Sequence, residues 1–72
     1  MLVQINYTCI DKYGSWPSES SGWADNDESA KAWADSEIAY MRKRFPDITF
    51  SNVELSECDL ATYSDRFICE IR

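Results

Sequence analysis

Hydrophobic and polar positions alternate from the start of the chain. Between Leu2 and Ile10, Val3, Ile5, Tyr7 and Cys9 share one phase, and Gln4, Asn6 and Thr8 the other. A period of two predicts a strand with one face buried. The next stretch, Asp11 to Asn26, keeps no period. Gly14, Pro17 and Gly22 punctuate it and serines fill the gaps, which predicts a long loop, with at most a short second strand near Tyr13–Trp16 in a ragged hairpin.

The period then lengthens. Ala30, Ala34, Ile38, Met41 and Phe45 recur at spacings of three and four, with Trp33 and Tyr40 on the flank of that stripe. This predicts an amphipathic helix. Asp25 or Asp27 can cap it, and Asp25 with Glu28 has capping-box spacing. Acids at its start and Arg42, Lys43 and Arg44 at its end complement the helix dipole, and Pro46 stops it. From Ile48 to Glu57 the alternation returns with a phase change between Phe50 and Val53, which implies a bulge near Ser51-Asn52. A last strand, Arg66 to Arg72, alternates with Phe67, Cys69 and Ile71 inward and Arg66, Glu70 and Arg72 outward, Ile68 falling on the outward set.

The expected fold is α+β in two layers, with elements in the order strand, helix, strand, strand. One helix covers a three-stranded, mostly antiparallel sheet of order 1-3-2, with a long loop after the first strand. With 72 residues the chain is one domain, residues 1–72. Hydrophobic residues make up 44% and aromatics 14%, enough to fill a small core with large rings. No apolar run spans a bilayer and no leader pattern follows Met1, so a cytoplasmic location and no membrane partner are expected. Three cysteines, Cys9, Cys58 and Cys69, read as free thiols in that compartment. A bridge from Cys69 to Cys58 or to Cys9 stays open.

Candidate chemistry changes this picture little. The chain has no histidine, which removes the commonest general base and metal ligand. No cysteines stand at zinc-ligand spacing. Asp25 to Ser29 imitates the opening of a calcium loop, but Ala30 and Ser36 stand where that loop needs Gly and Glu. No catalytic residue, metal site or cofactor is expected, and no enzyme activity.

Charge points to surface recognition. The net charge is −6 and the pI about 4.3, which disfavours nucleic acid and suits a basic partner. Trp16, Trp23, Trp33, Tyr40, Tyr63 and Ile68 exceed what solubility requires, and Trp and Tyr carry much of the energy at protein interfaces. Trp16, between Ser15 and Pro17, is expected at a loop tip and presented to a partner. Trp23, beside the helix start, is expected to staple the first turn.

The short acidic chain, the strand directly after Met1, the helix DESAKAWADSEIAYM and the terminal hairpin resemble small proteins of bacteriophages and other mobile elements, several anti-CRISPR proteins among them. The resemblance covers the whole chain at the level of architecture and transfers no residue role. It implies a non-enzymatic inhibitor, acting in the host bacterial cytoplasm, that occludes a surface of a larger defence complex. With the acidity, it directs attention to a basic, nucleic-acid-binding face of a nucleoprotein complex as partner. Asp25, Asp27, Glu28, Glu54, Glu57 and Asp59 are the candidate contact carboxylates and Trp16 the anchor. The alternative is a small nucleic-acid or ribonucleoprotein accessory module reading phosphate through Arg42, Lys43 and Arg44 with Lys12 and Arg66. A homodimer through an unpaired sheet edge also stays open.

Overall fold

Alternation carries β1, Leu2–Asp11, with Val3, Ile5, Tyr7 and Cys9 all buried on one side. The structure, a computed structural model, describes every residue from Met1 to Arg72. The stretch expected to be a loop is a full strand, β2, Gly14–Trp23, paired antiparallel with β1 along its whole length. The turn between them is held by Asp11, whose Oδ1 accepts the N–H groups of Tyr13 at 2.7 Å and Gly14 at 3.1 Å.

The helix α1, Asp27–Arg44, follows. Its cap is neither Asp25 nor Asp27. Asn26 accepts the N–H of Ser29 at 2.8 Å, and the Ser29 hydroxyl oxygen accepts the Asn26 N–H at 3.1 Å, a reciprocal capping box. Asn26→Ala removes a good cap and should cost about 1 kcal/mol, read as a lowered thermal midpoint. Ala30, Ala34, Ile38 and Met41 are the buried stripe. Phe45 belongs to the cap instead of the core and is 45% exposed.

Two further strands complete the sheet: β3, Thr49–Asp59, and β4, Ser64–Ile71. The sheet has four antiparallel strands in the order β2-β1-β3-β4. The expected three strands and the order 1-3-2 are thus corrected. β1 pairs with the strand after the helix, not with the last strand, because β2 occupies its other edge. β2 and β3 run parallel with β1 between them, and α1 is the crossover that parallel strands require. No helix is long and apolar enough to cross a membrane.

Two bulges set which residues meet the helix. In β3, Thr8 pairs with Ser51 but Asn6 pairs with Glu54. The extra residue lies at Asn52-Val53, where Asn52 adopts φ 53°, a left-handed conformation that Asn tolerates. Phe50 and Val53 therefore both reach the core. In β4, Leu55 pairs with Cys69 but Ser56 pairs with Phe67. Ile68 is the extra residue and packs against the core, whereas Phe67 turns outward, 58% exposed. This reverses the expected phase of those two residues and of Arg66, which pairs with Glu57 on the α1 side. Cys69 and Ile71 keep theirs.

Packing is uneven across the sheet. α1 lies mainly over β3, β4 and β1. It covers β2 through Trp33, whose indole rests against Gly22. The remaining inward positions of β2 are Trp16, Ser18 and Ser20, and the Ser20 hydroxyl is 3.0 Å from the Tyr7 hydroxyl. All three cysteines are free.

Candidate protein-binding surface

The helix start and the β3–β4 hairpin meet at one end of the molecule through a single guanidinium. Arg66 donates to both carboxylate oxygens of Asp27, at 2.6 and 3.2 Å, and through Nε to Glu57 at 3.0 Å. Register explains this: Glu57 pairs with Arg66 on the side of the sheet that carries α1. The hydrogen bond from Arg66 holds the Asp27 carboxyl below its ordinary range, and the Arg66 guanidinium is raised in turn, first by Asp27 and then by Glu57.

A depressed carboxylate stabilises the fold above its unfolded pKa, about pH 4, and loses that contribution as pH falls through the folded value. Asp27→Asn should therefore flatten the acid limb of thermal stability between about pH 5 and pH 2. The pair is half exposed, so molar salt should shrink the same limb in the unsubstituted protein. Melts over that pH range in both proteins check it.

The six candidate carboxylates do not form one surface. Asp27 and Glu57 are occupied by Arg66. Asp59 caps the β3–β4 turn, accepting the N–H of Ala61 at 2.9 Å and of Thr62 at 3.4 Å. Asp25 and Glu28 are exposed beside the helix cap. Glu54 stands apart, on the face of the sheet turned away from α1. Trp16 is not at a loop tip. It lies within β2 opposite Cys9, on the helix side, 40% exposed.

Trp23 is also corrected. It pairs with Leu2 on the open face and is 73% exposed, so it staples nothing. Trp33 is the tryptophan that packs against the core. Trp23→Ala should leave stability within about 0.5 kcal/mol, checked by the same melts.

Glu19 carries a signal that is hidden while residues 11–26 are taken as a loop, and Glu70 joins it through strand pairing. Once GSWPSESSGW is a strand, pairing aligns Glu19 with Asn6, Asn6 with Glu54 and Glu54 with Glu70. Three carboxylates then cross the open face in one row. The parallel row beside it is Ser21, Gln4, Ser56 and Phe67, and beyond it Trp23 pairs with Leu2 and Cys58 with Asp65. Burial first, then the negative charges of Asp65, Glu19 and Glu57, push the Cys58 thiol up. Burial also raises Cys9. Both stay protonated and poorly nucleophilic at neutral pH.

The cations divide. Arg42, Lys43 and Arg44 end α1, and Lys12 lies in the β1–β2 turn beside Asp47 and Ile48 at that same end. Arg42 donates to the Phe50 carbonyl at 3.3 Å. Arg66 is bound at the other end of an 18-residue helix, about 27 Å away. No group of three or more His, Cys, Asp or Glu side chains is placed to hold a metal ion. Compared with protein-family models, curated proteins and solved structures, the chain matches none.

Proposed function

We propose that this chain is a non-enzymatic protein-binding inhibitor, phage-encoded and anti-CRISPR-like, that blocks a basic nucleic-acid-binding surface of a bacterial defence complex. The observation that carries the reading is the pairing of acidity with unspent aromatic surface. Tyr13, Trp16, Trp23, Tyr40, Tyr63 and Phe67 are all at least 40% exposed on a chain of net charge −6. Large apolar rings left in water commonly mark an interface, and carboxylates around them favour a basic partner and speed its approach.

Tyr63 adds to this. It is 94% exposed and held at φ 52°, a conformation unfavourable for a bulky residue. Neither feature stabilises the fold, so both support a role outside it.

The test is capture from bacterial lysate with the tagged protein at low salt. A basic nucleoprotein that elutes as salt rises, and whose nucleic-acid binding the protein blocks, is the expected result. Recovery of no basic partner counts against the reading. The nucleic-acid module reading predicts instead that the protein itself retards DNA or RNA in a gel at low salt. It draws on Lys12 and Arg42–Arg44 lying at one end, but loses Arg66 to the opposite end.

A further inference from the structure

The side of the sheet away from α1 has no cover, and its chemistry is specific. Glu54 and Glu70 stand directly opposite each other across β3 and β4, an arrangement of like charges that disfavours the pairing of those strands. The molecule's ion pairs all belong to Arg66, on the other side of the sheet. Arg72 follows on the same phase as Glu70 and makes no ion pair with either carboxylate. Glu19 extends the negative row to the β2 edge. Planar rings flank it: Phe67 one row away and Trp23 two rows away, 58% and 73% exposed.

From this juxtaposition we infer that the open face of the sheet docks an arginine-bearing segment of a basic protein partner. The inference rests on the protein-binding reading above and names its surface. Adjacent strands lie about 4.8 Å apart, so one guanidinium can lie between the Glu54 and Glu70 carboxylates. Successive rows are about 6.8 Å apart along each strand, the spacing of same-side residues in an extended segment. One arginine of such a segment pairs with the carboxylate row while another stacks on Phe67 or Trp23. Arginine suits both tasks, because its planar fork pairs with carboxylates and lies flat on rings, whereas a lysine ammonium is a compact, strongly hydrated point charge. Nucleic acid does not fit a face whose charged row is negative.

The probes are a nona-arginine peptide, a nona-lysine peptide and a single-stranded oligonucleotide. Each is titrated into isotope-labelled protein at physiological ionic strength, and amide shifts locate the contact. The expected result is nona-arginine shifting Glu19, Trp23, Glu54, Phe67 and Glu70. Affinity should fall at least about tenfold in Glu54→Gln/Glu70→Gln and in Trp23→Ala, and hold in Asp25→Asn/Glu28→Gln. The double glutamine variant removes a like-charge pair, so it should melt no lower than the unsubstituted protein, and lost binding then reflects the face.

Loss of affinity in Asp25→Asn/Glu28→Gln alone, with shifts at the helix start, overturns the placement and leaves the acidic-binder reading standing. Equal affinity for nona-lysine overturns the choice of arginine. Oligonucleotide shifts on this face, or a dimer by light scattering that Glu54→Gln/Glu70→Gln dissolves, overturn the choice of occupant. Absence of binding to any surface overturns the inference, and the wider reading is then decided by the lysate capture.

Discussion

Leu55→Ala should remove about 2–5 kcal/mol of stability. Leu55 is fully buried, on an interior strand, paired with Ile5 on one side and Cys69 on the other. Its side chain lies under α1, so no solvent can fill the space that truncation leaves. At about 0.05–0.15 kcal/mol per residue, a domain of this length has roughly 4–11 kcal/mol in total. The substitution takes a large share of it. Each kcal/mol corresponds to about 4–8 °C in a domain of this size, so the midpoint should fall by about 8 °C or more. Phe67→Ala, two residues from Leu55's partner Cys69 but outward, should shift it little. Equal losses from the two substitutions would contradict the bulge at Ile68 that separates their faces.

That bulge shows where the pattern of apolar residues was readable and where it was not. β1, α1 and the first half of β3 follow from period alone, because each buries one stripe against a well-formed partner. The β3 bulge was visible as well, since Phe50 and Val53 break the alternation by one. The β4 bulge was not. Phe67, Ile68, Cys69 and Ile71 are all apolar, so two phases fit, and only pairing with Ser56 and Leu55 selects one.

β2 was invisible for a different reason. A strand is recognised by the apolar residues it buries, and β2 buries almost none. α1 sits over the opposite half of the sheet, so the inward side of β2 carries serines, one of them against a tyrosine hydroxyl, the partly exposed Trp16 and the Trp33 indole that reaches over Gly22. As an edge strand it also accommodates Pro17, which an interior strand would not. The order of the sheet was lost with it, since a free edge on β1 invites the last strand to pair there.

The candidate site suffered the same loss. Carboxylates counted along the chain gave Asp27, Glu57 and Asp59, which the fold uses internally, and only Glu54 of the open row. Glu19 looked like loop and Glu70 like an ordinary outward residue. The row exists only through the pairing of four strands, and three of its members come from segments more than ten residues apart.

α1 meets β2 where the Trp33 indole lies against Gly22, and the strength of that contact can be tested at Gly22. A Cβ built on Gly22 would lie 2.6 Å from Trp33 Cε2, 2.7 Å from Cζ2 and 2.8 Å from Nε1, closer than carbon atoms approach. In an open strand, alanine in place of glycine is favourable by roughly 0.5–1 kcal/mol. Here the collision with the indole should outweigh that gain, and Gly22→Ala should destabilise by about 1–3 kcal/mol. Trp33→Ala should cost a similar amount, about 1.5–3 kcal/mol, because a half-buried ring loses its apolar cover. The two effects are not independent. With Trp33 already truncated nothing opposes the new methyl group, so Gly22→Ala in that background should be neutral or stabilising. The coupling between the two positions should reach about 1 kcal/mol or more. Denaturant titrations of the two single variants and the double variant measure it. Simple additivity would mean that the indole swings aside at no cost, and that β2 is held to the rest of the fold by its pairing with β1 alone.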